Sequence, residues 1–275
     1  MTNKRTLLAI YAHPDDEAFG TGGTLSKYAQ SGVDVHLITA TLGEAGQVAN
    51  PNIELTEPLG VVRERELRNA CACYGVTLHL LGYTDGQTTI APQMVAVYKI
   101  VKLLRHLKPQ VVMSFGPEGI YGHYDHLAVH RWATAAVELA SKSDWWPDAG
   151  PPYEVAKFYH RAMLEEQVAQ LEQINGRNFV SIDGIPFPFS GYPEERITTI
   201  IDVREYAQAK LEGIRCHASQ VHPESPYLRE DFDPADQPWF GKEAFILARR
   251  RADIELRMPA DGKEDDLFAG VRGDQ

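Results

Sequence analysis

The sequence has few cysteines, no long apolar run and a deficit of positive charge. The three cysteines, Cys71, Cys73 and Cys216, are odd in number and the first two fall on different sides of a predicted helix, which favours core or free thiols over a disulfide or a cysteine metal site. No apolar run approaches the roughly 20 residues that span a bilayer, and the run at residues 7–12 is too short for the core of a signal peptide. These absences predict a cytoplasmic protein without a membrane span.

Positive charge is scarce because Lys and Arg number 27 against 38 Asp and Glu, which gives a formal charge of −11. Such a balance disfavours a general affinity for nucleic acid or for an anionic membrane surface. Hydrophobic residues make up 44% and charged residues 24% of the chain, as in ordinary globular proteins. A chain of 275 residues suits one large α/β domain or two small ones.

Apolar runs alternate with amphipathic segments through the first half of the chain. The pattern predicts strands at residues 7–12, 33–40, 76–81 and 111–115, and helices at 18–31, 59–74, 92–107 and 127–140. Such alternation is typical of an α/β fold with a Rossmann-like, mostly parallel sheet flanked by helices and a strand order of 3-2-1-4. Residues 1–142 are predicted to form this core of a single domain, and residues 143–275 to extend the sheet and wall the crevice at its edge.

The second half of the chain is less regular. It predicts strands at 154–159, 197–203 and 243–249, a helix at 164–174, a proline-rich connection at 184–189 and a helix at 204–219 capped by Asp202. We find no internal repeat and no low-complexity segment in the sequence.

Four acidic or imidazole side chains stand at the end of the first predicted strand: His13, Asp15, Asp16 and Glu17. Packed without a counter-charge they would repel one another and lose solvation, and a divalent cation is the simplest counter-charge. The alternative is a solvated turn in which Asp15 or Asp16 only caps the next helix, and this turn alone leaves both interpretations open. Because it carries acids where a dinucleotide-binding fold needs glycines, the turn disfavours nucleotide binding.

A second group of such side chains, His123, Asp125 and His126, follows the fourth predicted strand. In a sheet of order 3-2-1-4, strands one and four are neighbours at the switch point, so both loops open into one crevice. Two independent clusters of His and Asp at the ligand-binding positions of one fold indicate a metal site. Nitrogen and oxygen donors without cysteine suit Zn²⁺ first, and then Fe²⁺, Co²⁺ or Mn²⁺.

Six short segments are similar to the motifs of a known family. They are AHPDDE at 12–17, TLGEAG at 41–46, RERELRNA at 63–70, FGPEGIYGHYDH at 115–126, HASQ at 217–220 and DLFAG at 266–270. With these the chain resembles the PIG-L or LmbE-like family of zinc-dependent N-acetylglucosaminyl deacetylases, which includes deacetylases and amidases of the mycothiol and bacillithiol pathways. Tyr124, where many members have proline, and Glu118, which is often aspartate, depart from the family pattern without removing a ligand.

The resemblance implies a metal site and a general base. His13, Asp16 and His126 would bind Zn²⁺ and leave a fourth position for water, as a hydrolytic zinc site requires. Asp15, next to a ligand but not one, would act as the general base. His130, one helical turn after His126, is the alternative ligand.

The resemblance also implies residues that assist the reaction or contact the substrate. Tyr121 or a protonated His123 would stabilise the oxyanion, and Asp125 would hold His123 by a hydrogen bond. The predicted substrate contacts are Arg63, Asp85, Glu44 and His217. A charged helix face and a turn-forming aspartate would explain Arg63 and Asp85 as well.

The implied reaction is the metal-dependent, hydrolytic removal of an N-acetyl group from an N-acetylated amino sugar or its conjugate. An amidase that cleaves thiol-sugar conjugates is the nearest alternative. A non-catalytic α/β module with a structural metal is another, but a structural site closes all its positions and has no use for the free carboxylate of Asp15. The expected partner is a small-molecule N-acetyl amino sugar or glycoside, and the sequence leaves the oligomeric state open, a homo-oligomer included.

Overall fold

A seven-stranded sheet forms the centre of the computed structural model, which describes residues 4–237, 239–256 and 262–271. The strands are β1 (Thr6–Tyr11), β2 (Asp34–Thr39), β3 (Thr77–Leu80), β4 (Val111–Phe115), β5 (Lys157–Ala162), β6 (Phe179–Ile182), β7 (Ile185–Pro188), β8 (Thr199–Asp202) and β9 (Lys242–Arg250). The α-helices are α1 (Asp16–Gln30), α2 (Leu59–Tyr74), α3 (Gln93–Leu107), α4 (Gly119–Gly122), α5 (Tyr124–Leu139), α6 (Glu165–Asn175) and α7 (Ala207–Cys216).

The strand order of the large sheet is β3-β2-β1-β4-β5-β9-β8. The first five strands run parallel, and β9 and β8 are antiparallel to their neighbours. In β1, Ile10 pairs with Ile38 of β2 on one side and with Ser114 of β4 on the other. The predicted fold class and the predicted order 3-2-1-4 are therefore confirmed, and the carboxyl ends of β1 and β4 lie side by side.

The sheet is buried between helices. All six residues of β1 are buried, as a near-continuous apolar run requires of a strand covered on both faces. Helices α1, α2 and α7 pack on one another, and α3 packs on α5. None of the described helices combines the length and the apolar character that a membrane span needs.

The second half of the chain adds β5, β9 and β8 to the sheet and also forms a separate hairpin of β6 and β7. The predicted proline-rich connection at 184–189 is therefore wrong. Asp183 and Gly184 both have positive φ, which suits a two-residue hairpin turn, and Pro186 and Pro188 are tolerated because a two-stranded ribbon leaves alternate amides unpaired. The predicted helix at 204–219 is a short 3-10 helix followed by α7.

Candidate active site

The turn after β1 and the loop after β4 face each other at the carboxyl edge of the sheet. Each holds a non-glycine residue in the left-handed region, with φ of 106° at Asp15 and 69° at Ile120. Such strained residues persist where the surroundings fix them, and they cluster at functional sites. Arg63 of α2 fixes the first turn, because it donates hydrogen bonds to the carbonyl oxygens of Pro14 over 2.6 Å and Gly43 over 2.9 Å.

Two imidazole nitrogens and one carboxylate converge between these loops. Nδ1 of His13 lies 3.2 Å from Nε2 of His126, and the Asp16 carboxylate lies 3.5 Å from the first nitrogen and 3.2 Å from the second. A tetrahedral site with metal–ligand bonds of about 2.0–2.1 Å separates neighbouring donors by about 3.3 Å. The spacing of these three side chains therefore fits one divalent cation.

The other nitrogen of each imidazole faces a hydrogen-bond acceptor. Nε2 of His13 lies 3.0 Å from Oδ1 of Asp85 and 3.1 Å from Oδ2 of Asp125. Nδ1 of His126 lies 3.0 Å from the carbonyl oxygen of Gly119. A ring nitrogen that faces an acceptor carries the proton, so the two converging nitrogens are left with the lone pairs that a metal requires.

Carboxylates surround His13 in excess. Asp16, Asp85 and Asp125 all lie within 3.5 Å of its ring nitrogens. Burial alone would lower the pKa of His13, but hydrogen bonds to these carboxylates raise it well above the ordinary value. Burial likewise opposes ionisation of Asp16, yet His126 and His13 hold the pKa of Asp16 well below its ordinary value. The charge at this position therefore favours a bound cation.

Asp15 stands beside the converging donors and outside their set. Its Oδ2 accepts a hydrogen bond from Nη2 of Arg63 over 3.2 Å, and its backbone N–H donates to Glu17 over 3.0 Å. Burial raises the pKa of Asp15 to about 6, against the opposing charge of Arg63. Because the side chain is 22% exposed and lines the large cavity of the site, it can accept a proton there.

The carboxylate of Asp125 lies against His13, and not against His123 as predicted from the sequence. It also accepts hydrogen bonds from the backbone N–H groups of Gly86 and Thr88 over 2.7 and 3.3 Å. Burial opposes ionisation, but the hydrogen bonds from His13 and Thr88 lower the pKa of Asp125. The prediction was wrong because adjacency in sequence does not show which imidazole a carboxylate reaches once the loop has folded.

His123 presents a neutral donor to the cavity. Its Nδ1 accepts a hydrogen bond from the backbone N–H of Asp125 over 3.1 Å, which leaves the proton on Nε2. Burial and the nearby imidazoles of His13 and His126 lower the pKa of His123 to about 4, which favours the neutral form over the predicted protonated one. His123 also forms a second grouping of possible ligand atoms with His13 and His126, all within 4.8 Å of one another.

Tyr121 places its hydroxyl beside the same group. Its Oη lies 3.5 Å from Nε2 of His126. Burial raises the pKa of Tyr121 well above its ordinary value, so the phenol keeps its proton. Tyr121 and His123 are therefore two neutral hydrogen-bond donors on one wall of the site.

These residues line one end of a cavity of about 760 Å³. The other end is formed by the second half of the chain, through side chains of α6, the β6–β7 hairpin, α7 and the segment after it. Apolar and aromatic residues contribute there, among them Leu171, Val180, Tyr227, Trp239 and Phe240. Charged residues line this end as well, among them Arg177, Asp183, Lys210 and Lys242, so the extension of the cavity is mixed in character.

Nearly the whole sequence is similar to those of proteins named as sugar deacetylases. A 1D-myo-inositol 2-acetamido-2-deoxy-alpha-D-glucopyranoside deacetylase of Rhodococcus jostii (strain RHA1) is 37% identical, over 98% of this chain and 99% of that protein. Residues 8–137 match the family PIG-L, described as GlcNAc-PI de-N-acetylase. The chain belongs to the PIG-L family. Membership confirms the predicted family and the predicted class of enzyme, a deacetylase.

Solved structures share the PIG-L fold of this chain. N,N'-diacetylchitobiose deacetylase from Pyrococcus horikoshii has a TM-score of 0.63 at 22% identity, covering 88% of this chain and 83% of that one. GalB, the 4-carboxy-2-hydroxymuconate hydratase from Pseudomonas putida KT2440, has a TM-score of 0.64 at 16% identity, covering 92% and 100%. Because a hydratase has the same fold, the argument for deacetylation depends on the side chains of the site.

Of the four predicted substrate contacts in this PIG-L protein, Arg63 and Asp85 line the cavity, and Glu44 and His217 are not among its lining residues. Glu44 is exposed, and its carboxylate accepts a hydrogen bond from the backbone N–H of Asp85 over 3.0 Å. Glu44 therefore supports the turn that carries Asp85.

His217 lies behind the first turn and has no exposed surface. Its Nε2 lies 2.7 Å from Oε1 of Glu17, whose Oε2 accepts the backbone N–H of Asp15 over 3.0 Å. Burial alone would lower the pKa of His217, but the charge of Glu17 raises it. The expected substrate contact is thus corrected to a supporting position, while Gln220 from the same motif does line the cavity.

Arg161 lines the cavity although the sequence pattern gave it no role. The sheet register places it opposite Phe115, the last residue of β4, at the edge where the other site residues lie. The sequence feature that could have indicated a role for Arg161 is its charge at the end of a buried strand. It was missed because the strand predicted at 154–159 ends before Arg161, whereas β5 continues to Ala162.

Proposed function

We propose that this protein is a divalent-metal-dependent deacetylase that hydrolyses the acetamide of an N-acetylglucosaminyl inositol, the substrate class in the name of its relatives. One observation carries the proposal: His13, Asp16 and His126 converge on one point, while the carboxylate of Asp15 faces the same cavity outside that set. A structural site closes all its positions, whereas a hydrolytic site keeps one for water with a base beside it.

The proposed metal is zinc, held by His13, Asp16 and His126, because two imidazoles and a carboxylate are a donor set of catalytic zinc sites. Fe²⁺, Co²⁺ and Mn²⁺ accept similar donors, so the metal assay below includes them. When bound, the metal would polarise the acetamide carbonyl and lower the pKa of a water towards about 7.

Asp15 is the proposed general base. It takes a proton from the attacking water while the water oxygen bonds to the acetamide carbon. The hydrogen bond from Arg63 fixes the direction in which the Asp15 carboxylate points. Asp15 then delivers the proton to the nitrogen as the C–N bond breaks, and the acetic acid that forms gives up its remaining proton, so that acetate and an amine leave.

Tyr121 and His123 are the proposed donors to the oxyanion that forms when water attacks. Tyr121 keeps its phenolic proton, and His123 carries its proton on Nε2 because Nδ1 already accepts a hydrogen bond. Fixed donors of this kind stabilise charge that develops only in the transition state. The neutral state of His123 suits donation without adding a positive charge beside the metal.

We place the sugar at the end of the cavity beside Arg63 and Asp85, and the group attached to it in the extension, where charged and polar side chains can contact its hydroxyl groups. This placement supports a glycoside as substrate over free N-acetylglucosamine, because the sugar alone would leave the extension unfilled. A cytoplasmic location and a homo-oligomer remain predictions from the sequence.

An acetate-release assay tests the proposed function. Purified protein is freed of metal with a chelator, reloaded separately with Zn²⁺, Fe²⁺, Co²⁺ or Mn²⁺, and supplied with N-acetylglucosamine, its disaccharide, and its malate and inositol glycosides. We expect chelation to abolish acetate release, Zn²⁺ to restore it, and the inositol glycoside to give the highest kcat/KM.

Two outcomes would contradict the proposal. Absence of acetate from every glycoside with every metal would argue for a non-catalytic module. Cleavage of a thiol-sugar conjugate at its amide, with no acetate from the panel, would identify an amidase instead.

A further inference from the structure

Two cysteines on neighbouring helices bring their sulfur atoms into contact. Sγ of Cys73, in the last turn of α2, lies 3.7 Å from Sγ of Cys216, the last residue of α7. Both are free thiols. A disulfide bond is about 2.0 Å long, so the two sulfur atoms must move closer together before they can bond.

The two helices are packed closely near these cysteines. A Cβ added at Gly213 of α7 would lie 1.6 Å from the hydroxyl oxygen of Tyr74 in α2. Just beyond α7, Ser219 donates from its backbone N and from Oγ to the carboxylate of Glu66 in α2, each over 2.7 Å. Because these contacts hold the helices together, the two cysteine side chains stay beside each other.

The two thiols differ in their access to solvent. Cys73 is exposed, whereas Cys216 is half-buried, and burial raises the pKa of the Cys216 thiol to about 12. Exposure and thiolate character decide which cysteine reacts first with an oxidant. Cys73 is therefore the sulfur that an oxidant reaches, and Cys216 is already beside it.

We propose that Cys73 and Cys216 form an intramolecular disulfide when the protein reacts with hydrogen peroxide. Sγ of Cys73 attacks a peroxide oxygen, so that an S–O bond forms, the O–O bond breaks and one water leaves. Sγ of Cys216 then attacks Sγ of Cys73, so that the S–S bond forms and the hydroxyl leaves as a second water with the Cys216 proton. The two thiols lose two electrons in total, and the peroxide gains them.

Peptide mapping after peroxide treatment tests the proposal. The reduced, full-length protein is treated with hydrogen peroxide, remaining thiols are alkylated, and the digest is analysed by mass spectrometry without a reductant. We expect one cross-linked pair of peptides that joins Cys73 to Cys216, and its loss on adding dithiothreitol. Cys71 should be recovered as an alkylated thiol, because burial keeps the oxidant away from it.

Single variants provide the controls. Cys71→Ser should keep the cross-link, and Cys73→Ser and Cys216→Ser should each leave the remaining cysteines open to alkylation, with thermal unfolding showing that each variant is folded. Oxygen added to Cys73 while Cys216 stays open to alkylation would overturn the proposal. A cross-link between two chains through Cys73 would overturn it as well, because Cys216 would then not be the partner.

Discussion

At the scale of single residues, the adjacent carboxylates Asp15 and Asp16 have different surroundings and so different chemistry. Asp16 accepts hydrogen bonds from the backbone N–H groups of Ala12 and His13 over 3.2 and 2.7 Å, and it stays ionised. Asp15 has a pKa raised to about 6 by burial and faces the cavity with Arg63 as its partner. Surroundings that separate the pKa values of neighbouring acids divide the roles of ligand and base between them.

Replacement of Asp15 by asparagine should separate catalysis from metal binding. Asp15→Asn keeps the size of the side chain but removes the proton acceptor, so kcat should fall by about 10²- to 10⁴-fold. Metal content by elemental analysis should match the unmodified protein, since Asp15 lies outside the converging donors. Unchanged turnover would show that another group moves the proton.

His126 and His130 offer a matched pair for the metal site, one helical turn apart. Nδ1 of His130 lies 2.9 Å from the carbonyl oxygen of Phe115, and its ring packs against His160, away from the converging donors. His126→Ala should therefore lower metal content as read by elemental analysis, and His130→Ala should leave it unchanged. Full occupancy in the first variant together with loss in the second would make His130 the ligand.

At the scale of elements, helices α1, α2 and α7 and the segments beside them hold the first turn in place. Arg63 of α2 donates to Pro14 and Asp15, and Glu17 of α1 joins the backbone of Asp15 to His217 after α7. Gly43 has a φ of 65°, and a Cβ there would lie 2.1 Å from Nη1 of Arg63. The strained conformation of Asp15 thus depends on three segments far from it in sequence, those that contain Gly43, Arg63 and His217.

Replacement of His217 should reduce stability rather than substrate affinity. His217→Ala leaves the buried Glu17 carboxylate without its imidazole, which should lower the free energy of unfolding by about 3–5 kcal/mol in a denaturant titration. Gln220→Ala is the control from the same motif, because Gln220 lines the cavity. It should raise KM and change stability by no more than about 0.5 kcal/mol. A higher KM at unchanged stability for His217→Ala would restore the predicted substrate contact.

At the scale of the whole molecule, a buried polar network attaches the segment around Glu264 to the added strands of the sheet. Oε1 of Glu264 lies 2.6 Å from Nζ of Lys157 in β5, and its Oε2 accepts hydrogen bonds from Tyr159 over 2.7 Å and Thr199 of β8 over 3.3 Å. Lys157 and Glu264 are both almost fully buried. Burial lowers the pKa of Lys157, and the charge of Glu264 opposes that change.

A double-mutant cycle should show the coupling in this network. Lys157→Met and Glu264→Gln alone each leave a buried group without its partner and should lower the free energy of unfolding by about 3–5 kcal/mol. The double variant should cost clearly less than the sum of the two, as partners in one buried pair do. Additive losses in chemical denaturation would mean that the two charges do not depend on each other.

Sequence periodicity was enough to predict the order β3-β2-β1-β4, because each buried strand and amphipathic helix shows its own spacing and crossovers of one hand leave few arrangements. The hairpin of β6 and β7 was not predictable in this way. Its two prolines are typical of an irregular connection, and the pairing of its strands depends on the turn at Asp183 and Gly184.

The sequence by itself determined the residue types at the reaction centre, since the two motifs that end β1 and β4 contain the imidazoles and carboxylates, and the topology brings those ends together. Only the tertiary structure decided which partner each side chain has. In the folded chain the Asp125 carboxylate contacts His13, His217 contacts Glu17 behind the first turn, and Cys73 contacts Cys216. The physical reason is that hydrogen bonds and sulfur contacts depend on distances of a few ångströms between segments far apart in sequence, which no local pattern records.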